Sequence, residues 1–412
     1  MVKNFWQLVW IQEYIFMIYK NLHLLQTYTK PNIKIPKPKP SRLIDALGFH
    51  IQASCRRVTC HPEEPDRFLS ASEDGTVIEY DLRLKTFSQA SVLLQNQLEY
   101  SDVLWNPISS HLFAASTNYG LKLYDRRMLG PDPTKNISAS ILTYSTNLIM
   151  PKPKLKISQP EISSISFDES GQLLSLIISK WYPTLYSLND PHPITVLKSS
   201  NYKDSCTIKH GSFSTSNHSK DLHFTIGSDD FKIYDWKLPS IGELKEERKL
   251  MKSYSDWSNE FPDEAIGYGK GPVTIPKVIE EPEFILSGHQ SIPNTIKFHS
   301  SLPFLLSSGI ESLIKVHTPQ SIKIAKLTKP LNLERKSSDL NGIDRSVQVD
   351  DDEVSHLSEA DRLIEKETLE MFDQYLLNSC DDQLVWMNIG TGHDSNESGS
   401  DDDDDEEEEE EL

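Results

Sequence analysis

Phe68 to Arg83 reads FLSASEDGTVIEYDLR, and Leu112 to Arg127 reads LFAASTNYGLKLYDRR, the same pattern displaced by 44 residues. Tyr80 falls on Tyr124, Asp81 on Asp125 and Arg83 on Arg127. Each copy holds a strand of small residues (LSAS, FAAS), a tight turn (Glu73-Asp74-Gly75, Thr117-Asn118-Tyr119) and an alternating strand (TVIEYDL, GLKLYDR). The period of two in the last strand implies one buried face. Upstream of each copy a further strand runs into a proline turn, Val58-Thr59-Cys60-His61-Pro62 and Val103-Leu104-Trp105-Asn106-Pro107.

Three weaker copies follow. Ile165-Ser166-Phe167, the turn Asp168 to Gly171, LLSLIIS and TLYSL make a third unit, with Tyr186 in the place of Tyr80. In the fourth, FTIGSDDFKIYDWKLP, matching Ser228 to Ser72 and Asp230 to Asp74 puts Trp236 there, so the apparent Tyr234-Asp235 ending is out of register. The fifth opens at Leu286-Ser287-Gly288-His289, continues through NTIKFHS and FLLSSGIESLIKVHTP, and places His317 at the aromatic position. A four-stranded repeat of about 40–45 residues with a Gly-His start and an aromatic-Asp end is the signature of a WD40 β-propeller. The expected fold class is therefore all-β, one ring in which each blade buries its faces against its neighbours.

Five blades are recognisable where WD40 rings usually have seven. Residues 1–50 show no small-residue strand, no turn aspartate and no terminal aromatic-Asp pair, so the N-terminal blades are either degenerate or missing, which would leave the ring unclosed. The expected organisation is an N-terminal segment and Pro-rich linker at 1–50, the propeller at 51–328, a disordered linker at 329–357, an amphipathic helix at 358–377 and a disordered acidic tail at 378–412. A charged, proline-punctuated insertion at about 245–282 reads as a long loop. The helix is expected from the capping-box spacing Ser358 to Asp361 and from Leu369, Phe372 and Leu376 on one face.

Composition narrows function. The chain has 42 basic and 61 acidic residues, and 11 of the acids form the block Asp401 to Glu411, leaving a net charge of −8 without it. Moderate acidity with no basic stripe argues against a general nucleic-acid surface, whose affinity rests on Lys and Arg neutralising phosphates. Phe5 to Tyr19 is apolar but carries Gln7, Gln12 and Glu13 and is shorter than the roughly 20 residues of a spanning helix, so no membrane role is expected. The four cysteines, Cys55, Cys60, Cys206 and Cys380, contain no C-x-x-C pair, and neither a disulfide framework nor a metal site is expected. For Cys60-His61 strand alternation predicts a core thiol beside a rim imidazole. No nucleophile elbow, Walker loop, zinc-helix motif or dinucleotide fingerprint occurs, so no catalytic residue, no cofactor and no enzymatic activity are expected. Asp229-Asp230 reads as a turn, and His289 as a residue bonded within its own blade.

The aromatic-Asp-x-Arg endings remain, with two readings. The rings pack between sheets and the Asp and Arg satisfy polar groups at the rim, or the guanidiniums, rigid and planar at the ends of strands, recognise a partner across an interface. The paired endings resemble the receptor box of the cullin-4 associated factors, WD40 proteins that dock on the adaptor damaged-DNA-binding protein 1 and present substrates to a cullin-4 RING ubiquitin ligase. SFDESGQLLSLIISKWYPTLYSL, CTIKHGSF, GSDDFKIYDWKLP, LSGHQSIPNTIKF and SSGIESLIKVHTP are similar to one branch of that family, over roughly residues 55 to 320. The resemblance implies that Asp74, Tyr80, Asp81 and Arg83 fill a first adaptor-binding box and that Tyr124, Asp125 and Arg127 fill a second, with Arg83 and Arg127 as the contacts. Asn118 stands where the first box has Asp74. The resemblance implies a non-catalytic substrate receptor in the nucleus, the cytoplasm or both, with a protein substrate that the sequence does not identify. The alternative is a propeller scaffold whose acidic tail attracts histones or other basic proteins, independent of the ligase.

Overall fold

The computed structural model describes residues 55–84, 90–118, 120–149, 161–214, 221–252, 267–269, 273–299, 304–311, 313–318 and 363–377 except 365. The segment 1–50, the cap at Ser358, the linker 329–357, Cys380 and the acidic tail lie outside the described residues. Strands are the dominant regular structure of the described residues. Blade one is β1 (Cys55–Cys60), β2 (Arg67–Ser72), β3 (Thr76–Asp81) and β4 (Ser91–Gln95), paired in that order. Blade two repeats it with β5 (Tyr100–Trp105), β6 (Leu112–Thr117), β7 (Gly120–Asp125) and β8 (Leu142–Tyr144). Blade three contains Ile162–Phe167, Leu173–Ile178, Thr184–Ser187 and Pro193–Leu197, blade four Ser212–Phe213, Leu222–Gly227, Ile233–Leu238 and Phe284–Leu286, and blade five Pro293–Phe298, Leu305–Gly309 and Ile314–His317. The protein is a WD40-type β-propeller. Sequence repeats and blades are offset by a strand, since Leu286, which opens the fifth repeat, closes blade four.

One register runs through all five blades. Phe68 faces Tyr80, Phe113 faces Tyr124, Leu174 faces Tyr186, Phe224 faces Trp236 and Leu305 faces His317 across the second and third strands. Trp236 is thus the counterpart of Tyr80, as the turn alignment requires. Facing pairs of this kind are the unit of sheet stability, and Tyr80, Tyr124, Tyr186 and Trp236 are each no more than 1% exposed. Between the facing strands, Gly75 holds the turn of blade one at φ +78°, and a Cβ there would collide with the Asn96 carbonyl.

Polar groups stitch the blades to one another. Buried Asp102 on β5 pairs with Arg57 on β1 at 3.4 Å and accepts the Ile165 N–H of blade three at 2.9 Å. Ser164 donates to the Lys209 carbonyl at 2.5 Å, and His210 N–H to the Asn294 carbonyl at 2.7 Å. His289 bonds Glu311 at 3.1 Å and Ser307 at 2.7 Å, and Ser307 bonds His317 at 2.8 Å, so the Gly-His histidine does serve its own blade. Asp229 holds the buried Lys209 ammonium at 2.5 Å and the Ser205 N–H at 2.7 Å, while Asp230 accepts the Tyr234 hydroxyl at 2.6 Å. The adjacent carboxylates are turn residues with separate partners.

The described parts of the insertion carry regular structure that its composition does not suggest. Ser240 and Glu243 form a reciprocal capping box on a helix at Ile241–Glu247, an S-x-x-E signal present in the sequence. Lys249–Met251, Gly267–Tyr268 and Val273–Ile275 form a small sheet with Leu148–Ile149, and Lys277–Ile279 joins blade three as a parallel fifth strand. Tyr268 is fully buried, and its hydroxyl lies 2.9 Å from both Trp181 Nε1 and Thr184 Oγ1. Short alternations such as Val273–Ile275 are too brief to stand out as strands by periodicity. At the other end of the chain a helix at 363–377 buries Leu369 and Leu376, the latter against Phe231 of blade four and Ile292.

Candidate functional site

Blades one and two end in the same pattern of Asp–Arg hydrogen bonds. Asp81 accepts the Arg83 backbone N–H at 2.9 Å, and its carboxylate takes the same residue's Nε at 2.9 Å and Nη2 at 2.6 Å. Asp125 does the same for Arg127 at 2.9, 3.0 and 2.6 Å, capping the single turn Arg126–Met128. A forked guanidinium matched to a carboxylate is the strongest geometry available to such a pair. Hydrogen bonds from Arg83 and Arg127 hold the Asp81 and Asp125 carboxyls below the usual carboxylate range. Both arginines still face water, with 55% and 68% of their side chains exposed. Each is a cation whose direction is fixed but whose outer surface is open.

Beneath them the aromatic rings are buried. Tyr80 stacks on Phe68 at 4.7 Å and Tyr124 on Phe113 at 5.4 Å. Direct contact of either ring with a partner is ruled out by this burial, and their part in the boxes is to anchor the strand that ends in Asp-x-Arg. Asp74 is separated from the pair it was grouped with. It sits in the turn before β3, holding Thr76 N–H at 2.9 Å and the Thr76 hydroxyl at 2.6 Å. Arg83 follows the other end of β3, roughly 20–25 Å away at about 3.3 Å per residue. The structure therefore unites Asp81 with Arg83 and Asp125 with Arg127, and leaves Asp74 on the opposite rim.

An ionic chain that sequence reading does not detect runs between the boxes. Glu64 accepts Arg83 at 3.0 Å and Arg67 at 2.9 Å, Arg67 reaches Glu79 at 2.6 Å, and Glu79 accepts Arg126 of blade two at 2.8 Å. Glu79 is nearly buried, which strengthens the bridge between the blades. Glu64 is itself placed by His61, whose Nδ1 accepts the Glu64 N–H at 3.0 Å while the ring packs edge-on to Trp105 at 4.9 Å. The phase expected at Cys60-His61 is reversed. Cys60 is exposed and His61 buried, because β1 ends at Cys60 and the chain turns its next side chain inward against blade two. Among the described residues no cluster could hold a metal ion, and no helix is long and apolar enough to cross a membrane.

Two solvent-facing guanidiniums are thus held alike on adjacent propeller blades. The chain is 27% identical over 258 residues to DDB1- and CUL4-associated factor 5 of Mus musculus, and 26% identical over 258 residues to that of Homo sapiens. Over that stretch the chain is similar to the DDB1- and CUL4-associated factors. Factor 6 of Homo sapiens is 28% identical over 148 residues, 32% of this chain and 17% of that protein. The match to factor 5 covers 63% of this chain and 22% of the relative, so the chain spans about a fifth of the length of that curated relative. No protein-family model matches.

Proposed function

We propose that the chain is a non-catalytic substrate receptor of a cullin-4 RING ubiquitin ligase, docking on the damaged-DNA-binding protein 1 adaptor through Arg83 and Arg127. The observation that carries this reading is the pair of outward guanidiniums, each oriented by its own box aspartate and linked blade to blade through Glu64, Arg67, Glu79 and Arg126. The names of the relatives supply the partner. In this reading Asp81 and Asp125 orient the arginines, Tyr80 and Tyr124 anchor the strands, and Asp74 holds the turn before β3. The chain itself makes and breaks no bonds. It holds a protein substrate near the transferring enzyme and so raises the effective concentration of the reacting groups. Its place of work is the nucleus, the cytoplasm or both.

The test is a pull-down of purified adaptor by the full chain beside an Arg83→Glu/Arg127→Glu variant, both shown by circular dichroism to be folded. The parent retains adaptor and the variant does not. Equal retention removes the arginines from the interface, and no retention by the folded parent removes the receptor reading.

A further inference from the structure

The boxes share their internal geometry and differ in what surrounds them. Arg83 is gripped by a second carboxylate, Glu64, at 3.0 Å, whereas Arg127 has Asp125 as its only acceptor among the described residues. Glu79 takes up Arg126, leaving Arg127 as the outward cation of blade two. The apolar surroundings differ too. Met128, directly after Arg127, is 63% exposed, and Ile108, in the turn between β5 and β6, is 65% exposed. That turn lies on the Arg127 rim, because Arg126 N–H bonds the His111 carbonyl at 2.8 Å. Asn106 fixes it by accepting the Ile108 and Ser109 N–H groups at 3.0 and 2.8 Å. Blade one offers Glu63, Glu64 and Asp66 in the corresponding turn and only Leu84, 41% exposed, after its arginine.

We infer that the adaptor contact is centred on blade two, where Arg127, Met128 and Ile108 form one composite patch that takes a carboxylate set beside an apolar side chain on the adaptor surface. This rests on the receptor reading above and adds which box dominates and what chemistry it meets. Charge complementarity favours blade two, since a carboxylate approaching Arg83 also meets Glu64 and its neighbours, while one approaching Arg127 meets Asp125 alone. Interface cores are enriched in Arg and Met, and a few such residues carry most of the binding energy. Blade one serves as the rim, and Glu64 is the residue that subdues Arg83.

The experiment titrates purified adaptor against the full chain and four variants: Arg127→Ala, Arg83→Ala, Ile108→Ser/Met128→Ser and Glu64→Gln. Arg127→Ala is expected to weaken binding by roughly 30-fold or more, the apolar double variant by about 10-fold, and Arg83→Ala by less than about 5-fold. Glu64→Gln is expected to enlarge the effect of Arg83→Ala, a coupling that a purely structural role for Glu64 would not produce. The substituted box and turn residues are more than half exposed at positions 83, 108, 127 and 128, so unfolding is not the expected cause of any loss. Tight binding by the parent with Arg83→Ala as harmful as Arg127→Ala, or with the apolar variant unchanged, overturns the inference and leaves the receptor reading standing. No binding by the folded parent overturns both.

Discussion

Blades one and two carry an Asp-x-Arg ending; blades three, four and five do without it. In the common register the residues after the aromatic are Ser187-Leu188-Asn189 in blade three and Lys237-Leu238-Pro239 in blade four, where blade one has Asp81-Leu82-Arg83. The aromatic position itself persists, as Tyr186 and Trp236, fully buried against Leu174 and Phe224. A blade thus needs the ring to close its sheet and folds without the charged pair. The bland account, in which Asp-x-Arg only steadies the rim, leaves unexplained why three blades of the same ring manage otherwise.

The comparison breaks first at the rings. Tyr124→Ala and Trp236→Ala should each cost about 3–5 kcal/mol in chemical unfolding, in a box blade and a plain blade alike; a much smaller loss for Trp236 would separate the two groups of blades in fold as well as in endings. Blade five carries one of the acid-sensitive groups. Burial pushes the His317 imidazole down to about 4, below its ordinary value of about 6.5. A folded value below the unfolded one means that stability is complete above about pH 6.5 and declines as pH falls toward 4, by on the order of 2–3 kcal/mol. His317→Phe should flatten that slope, since Ser307 keeps its bond to His289. Glu79→Gln, which removes the charge between Arg67 and Arg126, should cost about 1–3 kcal/mol and lower the unfolding midpoint. The smallest effect belongs to Arg83→Gln/Arg127→Gln, which should leave that midpoint unchanged while adaptor retention falls; a marked drop would return the boxes to a structural role.

Much of this was legible because repeats expose register. Matching Ser228 and Asp230 to blade one was enough to place Trp236 opposite Phe224 and to reject the tempting Tyr234-Asp235 ending. The boxes were legible as motifs, but their wiring was not. Glu64 meets Arg83 from 19 residues away and Glu79 meets Arg126 from 47, separations at which no local pattern survives. Asp74 was grouped with Arg83 by motif although the length of β3 already places them at opposite ends. The order in the insertion was missed for a different reason. Its strands, such as Val273–Ile275 and Lys277–Ile279, are three residues long and take their stability from the blade they touch.

That borrowed strand changes how blade three meets the outside world. An outermost strand with unpaired backbone groups is a template on which a foreign chain can grow a sheet. Here Lys277–Ile279 lies parallel along Pro193–Leu197, and Lys198 N–H reaches the Ile279 carbonyl at 2.8 Å. Three successive buried residues, Thr195 to Leu197, are thereby paired rather than left at an open edge. Shortening the insertion would expose that edge of blade three to pairing with another chain.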